Sequence, residues 1–227
     1  MDLKNYFKKR KLAGDQTVIK ELWREIFIEK QYEFSSLSES PFILDIGANI
    51  GIATLYFKRI CPEAKIKAFE PVPASFSDLE KNTKNLENIQ IFNVGISDKD
   101  ENGIIYGESD TSVESTAKKL VGKFSEEQLK PIPVVFKKLS PFITEPVDFL
   151  KIDIEGYEGK VFKELEESGK LKMVKEIVME YHYNVENKEN ELGEMISRFH
   201  RNGFELQIST GDKKTMYPFI IRAKKIN

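Results

Sequence analysis

The sequence predicts an α/β protein built on an open, mostly parallel sheet with helices on both faces. Three observations carry this expectation. Short apolar runs the length of buried strands recur at 42–46, 65–69, 89–94, 147–152 and 175–179. Helical spacing fills intervals between them, as with the apolar residues 52, 55, 56 and 60 on one face. The first two strands run onto carboxylates, Asp45 and Glu70, and glycines 47 and 51 stand in the turn after the first. Glycines there let a backbone approach a ligand, and an acidic residue after the second strand suits a ribose diol.

The elements follow in order. Residues 1–16 are polar, and Lys8-Lys9-Arg10-Lys11 reads as a solvated end or as a contact for phosphate or a membrane surface. Apolar residues 18, 19, 22, 23, 26 and 27 make a broad helical stripe, so Trp23 is a packing residue. Residues 1–40 are therefore expected as a helical extension packed on a core domain, 41–227. Helices are expected at 51–60 and 75–87, the latter started by Ser75 with Asp78 in its first turn. After Gly156, apolar residues 157, 161, 162 and 165 support another helix. A further helix over 187–200 has Gly203 as its cap. Phe204–Ile208 and Tyr217–Arg222 read as a final strand pair around the turn signal Gly211-Asp212.

One stretch breaks the rhythm. Residues 107–140, rich in Ser, Thr, Glu and Lys, lie between a short strand (Gly103–Tyr106) and the core strand at 147. Long connections in compact domains are functional or mobile. Either a substrate-facing lid, with Ser109, Asp110, Thr111, Ser112 and Ser115 as polar contacts, or a surface insert fits this composition.

Composition bounds the function. The 227 residues, 40% hydrophobic and 32% charged, suit one globular domain. A net charge of −2 supplies no general drive toward nucleic acid. Cys61 is the only cysteine, which excludes an internal disulfide and points to a reducing compartment. No apolar run reaches membrane-spanning length, and the N-terminus has no apolar secretory core, so a cytoplasmic location is expected.

The glycine turn discriminates between cofactors. The dinucleotide fingerprint needs glycines at 47, 49 and 52, but the chain has Asn49 and Ile52. Its D-x-G-x-N-x-G pattern provides no third close-approach glycine for a pyrophosphate. An adenosine cofactor with an amino-acid tail, S-adenosylmethionine, fits better than NAD or FAD. A ligand-free strand-turn-helix would explain the glycines but not both carboxylates.

The chain also resembles a known family. REIFIEKQYEF (24–34), ILDIGANIGIATLYF (43–57), AKIKAFEPVPASFSDLEKN (64–82), IFNVGISDKDENG (91–103) and VDFLKIDIEGYEGKVFKELE (147–166) resemble FkbM-family segments, in that family's order. DIGANIG together with KIDIEGYE is the specific combination. The resemblance implies a class I, Rossmann-like methyltransferase. Its sheet would have seven strands, with the last antiparallel between the fifth and sixth. S-adenosylmethionine would donate the methyl group, and a sugar or polyketide-like hydroxyl would accept it.

Site residues follow from pattern and resemblance together. The cofactor would meet the turn Gly47, Ala48, Asn49 and Gly51 through backbone N–H groups. Asp45 would receive the methionine ammonium, directly or through water. Glu70 would take both ribose hydroxyls. Pro71 and Val72 would cover adenine, and Ser97 and Asp98 would meet its edge, unless they form only a turn. The resemblance puts Asp153 near the methionine end and places Asp153 and Glu155 at the reaction centre. Glu180 and His182 end the next strand. Asp153, Glu155 or His182 could accept a hydroxyl proton. Alternatively, Asp153, Glu155, Glu180 and His182 could hold a divalent cation, although their spacing is no known metal motif; a metal-free site is the base expectation. His182 could also be structural.

Absent motifs narrow the chemistry. The Asn-Pro-Pro-Tyr loop of many base N-methyltransferases is replaced by DIEG, and no Pro-Cys nucleophile stands there. Glu155 and Glu158 do not reproduce the longer double-glutamate loop of arginine methyltransferases. The expectation is O-methylation of a small-molecule or carbohydrate hydroxyl. The alternatives are N-methylation of a small molecule or a non-catalytic cofactor-binding subunit.

Overall fold

The computed structural model describes residues 11–107, 130–182, 192–210 and 218–226. Its elements are α1 (Gln16–Trp23, continued by a π-helical turn Arg24–Ile28), β1 (Phe42–Ile46), α2 (Ile52–Ile60), β2 (Lys65–Phe69), α3 (Pro73–Thr83) and β3 (Ile89–Phe92). Then come β4 (Gly95–Ser97), β5 (Glu101–Gly107), β6 (Lys130–Lys138), β7 (Phe149–Ile152), α4 (Glu158–Glu167), β8 (Glu176–Tyr181), α5 (Leu192–Arg201), β9 (Phe204–Thr210) and β10 (Phe219–Lys225).

The main sheet has seven strands in the order β3-β2-β1-β7-β8-β10-β9. The first five run parallel, and β10 is antiparallel to both β8 and β9. The last strand thus enters between the fifth and sixth, as expected. Successive side chains on a strand face opposite ways. Ile43, Phe149 and Val178 pack with α1 and α2, while Leu44, Leu150 and Met179 pack with α4 and α5. All five residues of β1 and all four of β7 are buried, which explains runs that are apolar apart from Asp45 and Lys151.

Caps set several boundaries. Asp15 accepts from Thr17 and Val18 N–H, so α1 starts before the apolar stripe. The second core helix begins at Pro73 rather than Ser75. Pro73 is preset for a first helical turn, and Ser75 is buried within it. The segment after α1 is fastened from the sheet: Arg222 of β10 donates to the carbonyls of Lys30, Gln31 and Glu33. Phe34 stacks on Phe149, with ring centroids 4.4 Å apart. Trp23 stacks on Phe27 in the core beneath α1.

A second sheet, β4-β6-β5, was not anticipated. It takes up the two ends of the irregular stretch: β6 pairs antiparallel with β5 and, at Phe136–Lys138, parallel with β4. Ile132, Val134 and Phe136 are buried, so KPIPVVFKK alternates as a strand should. Pro131 and Pro133 masked that signal. They lie beyond the span that β4 pairs, where a missing N–H costs no ladder bond on that side. The polar contacts expected at Ser109, Asp110, Thr111, Ser112 and Ser115 lie outside the described residues. So do Lys8–Arg10 and the Gly211-Asp212 turn.

Candidate active site

A cavity of about 250 Å³ opens at the C-terminal edge of the parallel strands. Its floor is the turn Gly47–Asn49, with Glu70, Pro71 and Val72 after β2 on one side. Val94, Gly95, Ile96, Ile105 and Phe136 add an apolar wall. Asp153, Glu155 and Glu180 also line it, with Glu25 and Tyr32 from the N-terminal segment.

The turn is locked by its own hydrogen bonds. Gly47 has φ +77°, and a Cβ there would stand 1.8 Å from the Asp153 carbonyl oxygen. Gly47 and Ala48 N–H both donate to the Phe69 carbonyl, at 3.0 and 2.9 Å. Asn49, also left-handed at φ +49°, donates its N–H to Glu70 Oε2 at 2.8 Å. Glu70 Oε1 accepts from Val72 N–H at 2.8 Å. Burial pushes the Glu70 carboxyl up to about 7, against the pull of those two N–H bonds. The N–H groups expected to reach a cofactor are therefore spent inside the turn. Gly51 is turned away from the cavity toward α3, where a Cβ would meet Leu79 Cδ1 at 2.8 Å.

Beneath the turn lies a buried charge network. Lys151, opposite Asp45 in the β1–β7 register, donates to the Gly47 carbonyl at 2.6 Å. Its Nζ is 3.3 Å from Asp45 Oδ1 and 3.7 Å from Asp153 Oδ2. Burial alone would lower the Lys151 pKa, but Asp45 and Asp153 outweigh it and hold the ammonium above its ordinary value. Asp45 is fully buried and accepts from Thr54 Oγ1 at 2.7 Å. It is not part of the cavity lining, and the cation beside it is Lys151.

Tyr32 connects the next carboxylates. Its hydroxyl is 3.3 Å from both Asp153 Oδ2 and Glu180 Oε2, and Gln31 Nε2 donates to that same Glu180 oxygen at 2.8 Å. Burial, then the nearby Asp153 charge, raises Glu180 to about 8. Burial raises Glu25 to about 7. His182 lies against Glu155 and Glu158: Nδ1 is 2.8 Å from Glu158 Oε1, and Nε2 is 3.4 Å from Glu155 Oε2. Burial opposes its charge, but Glu155 and Glu158 prevail and raise it well above the ordinary histidine value. His182 is thus held between two carboxylates and is not among the residues that line the cavity.

The structure thus brings Gly47, Ala48, Asn49, Glu70, Pro71, Val72, Asp153 and Glu155 to one cavity. It leaves out Asp45, Gly51, Ser97, Asp98 and His182. The main-sheet strand ends at Phe92 and the chain turns into β4, so Val94–Ile96 face the cavity while Ser97 Oγ donates to Asp98. Lys151, Tyr32 and Glu25 escaped the sequence reading. Only Lys151 had a signal, as a lone charge within the apolar run FLKI.

A seven-stranded sheet with this order and this cavity defines a class I methyltransferase fold. The methyltransferase FkbM domain matches residues 45–206, and the chain belongs to that family. Methyltransferase 1 of Beauveria bassiana is 33% identical over 165 residues, covering 63% of this chain and 66% of that protein. The 2-O-methyltransferase NoeI of Sinorhizobium fredii is 29% identical over 137 residues, 53% of this chain and 56% of that one. The crystal structure of an FkbM methyltransferase from Methylobacillus flagellatus KT superposes with a TM-score of 0.57 at 12% identity, over 84% of this chain and 45% of that chain. The chain therefore spans just over half to two thirds of these curated relatives. Family membership makes it a methyltransferase that uses S-adenosylmethionine. Among the described residues, no helix is long and apolar enough to cross a membrane.

Proposed function

We propose that this chain methylates a hydroxyl group of a sugar, glycan or other small natural product. The supporting observation is the convergence of Asp153, Glu155 and Glu180 on the same cavity that Glu70 lines. The name of the Sinorhizobium relative, a 2-O-methyltransferase, points the same way. The residues fit the cofactor. Each Glu70 oxygen accepts one backbone N–H and keeps an acceptor direction for a ribose hydroxyl. Pro71, Val72, Ile96 and Phe136 provide apolar faces for adenine.

When bound, S-adenosylmethionine supplies a methyl carbon on a sulfonium, whose thioether product is neutral and requires no acid. The chain's work is positioning and proton removal. An acceptor hydroxyl within reach of Asp153 or Glu155 gives its proton to that carboxylate, which later passes it to solvent. Lys151 and Tyr32 fix Asp153, and His182 holds Glu155. Carboxylates raised by burial, Glu25 and Glu180, add hydrogen-bonding partners for a polyol.

The test is transfer of an isotopically labelled methyl group to a panel of sugars, amino sugars and polyols, with products located by NMR. O-methyl products are expected. Asp153→Asn and Glu155→Gln should lower turnover roughly 10²–10⁴-fold, with cofactor affinity preserved in Glu155→Gln. Methylation confined to amine nitrogen would overturn the hydroxyl assignment. Cofactor binding with no turnover on the whole panel would favour the partner-subunit alternative.

A further inference from the structure

We infer that Asp153, Glu155 and His182 form a binding site for one divalent cation of the Mg²⁺ or Mn²⁺ type. One ligand atom from each lies within 4.8 Å of the other two. Ligand atoms bound at about 2.1 Å stand roughly 3.0 Å apart when adjacent around an octahedral ion and about 4.2 Å when opposite. The 3.4 Å between His182 Nε2 and Glu155 Oε2 already lies in that range, and the remaining separations, up to 4.8 Å, close as the carboxylates turn onto an ion. The two carboxylates suit magnesium or manganese, and the imidazole, a ligand for transition metals, favours manganese of the two.

The support behind the cluster is an independent observation. Glu158 is fully buried and pins His182 Nδ1 at 2.8 Å, which turns Nε2 toward Glu155 and Glu180. A buried carboxylate on the far nitrogen is the usual outer support of a metal-bound histidine. The other Glu158 oxygen, Oε2, is buried with no hydrogen-bond partner among the described residues. Around this point stand the carboxylates of Asp153, Glu155, Glu158 and Glu180. Lys151 lies 3.7 Å from Asp153 and also pairs with Asp45.

Asp153 and Glu155 also line the cavity, so an ion there would have coordination positions open to an acceptor. Two neighbouring hydroxyls of a sugar are the chemistry such positions hold. That role rests on the hydroxyl reading above; occupancy of the site does not.

Mn²⁺ is the probe. Titration of the full chain, followed by the electron paramagnetic resonance of free Mn²⁺, should show saturable uptake of about one ion per chain, displaced by Mg²⁺. Glu155→Gln and His182→Gln should weaken uptake at least tenfold, and Glu158→Gln, an indirect support, by about 10- to 100-fold. Circular dichroism confirms folding of each variant. Glu155, whose side chain is partly exposed, supplies the variant least coupled to stability. S-adenosylmethionine affinity is measured in parallel by calorimetry. Cofactor binding without Mn²⁺ uptake overturns the cation site and leaves the methyltransferase standing. Uptake unchanged in all three variants also overturns it. Site-dependent uptake without any hydroxyl methylation would sustain the cation site and remove the acceptor reading.

Discussion

Gly47 is the residue on which most of the site converges. Its left-handed backbone and its approach to the Asp153 carbonyl leave no room for a side chain. Gly47→Ala should push β1 and β7 apart at the cavity floor, lower Tm by several degrees and weaken S-adenosylmethionine at least tenfold. Wild-type values in both melting and calorimetry would show that the close approach is not needed. Glu70 holds both edges of the turn while facing the cavity. Glu70→Ala frees two backbone N–H groups and removes two acceptors, and should cost roughly 2–3 kcal/mol of cofactor binding. A folded variant with unchanged affinity would refute the ribose assignment. Lys151 has the opposite character, since it faces inward as much as outward. Lys151→Met strands the buried Asp45 carboxylate and should destabilise the fold by about 3–5 kcal/mol in urea titration. Adding Asp45→Asn should recover a large part of that loss. If the double variant is no better than the single one, Asp45 is not the partner that matters.

At the scale of elements, the second sheet acts as a cover held in place by one ring. Phe136 stacks on Tyr157 with centroids 5.1 Å apart, and a Cβ on Gly95 or Gly103 would lie 2.7 or 2.6 Å from its ring. Two neighbouring strands therefore give up side chains so that one aromatic can lie across them. Phe136→Ala should cost about 3–5 kcal/mol of stability and weaken cofactor binding by opening the apolar wall. A stable variant with intact affinity would mean the cover is dispensable. This sheet is also where sequence reasoning fell short. Strands β1 and β7 were legible because both their faces are buried, which leaves runs apolar apart from Asp45 and Lys151. Strand β6 alternates, but its prolines and distant partner β5 hide the alternation. The turn glycines and Glu70 were legible because their chemistry is local. The consumption of the Gly47 and Ala48 N–H groups by Phe69 was not, because it depends on the β1–β2 register. Tyr32 reaches Asp153 across more than a hundred residues, and no local pattern announces such a contact.

The whole molecule gathers acidic groups whose burial sets a common pH response. Glu25 and Glu70 are raised to about 7 and Glu180 to about 8, each chiefly by burial. A carboxyl whose folded pKa lies above its unfolded value binds its proton more tightly when folded. Its contribution to stability is complete below the unfolded value, near 4.5, and is lost as pH rises through the folded value. His182 is raised as well, so its contribution is present below its unfolded value of 6.5 and falls away only at higher pH. All four groups act in the same direction. The chain without cofactor should therefore melt higher at pH 6 than at pH 8.5. Glu70→Gln, which is neutral at every pH, should flatten part of that slope. A cationic ligand favours the ionised carboxylates of the cavity, so S-adenosylmethionine should bind more tightly as pH rises over the same interval. Calorimetry at both pH values, paired with melting curves, checks the two trends together. A melting temperature that rises toward pH 8.5, or an affinity that falls, would mean that these carboxyls are already ionised in the folded chain and that water or a counter-ion offsets their burial.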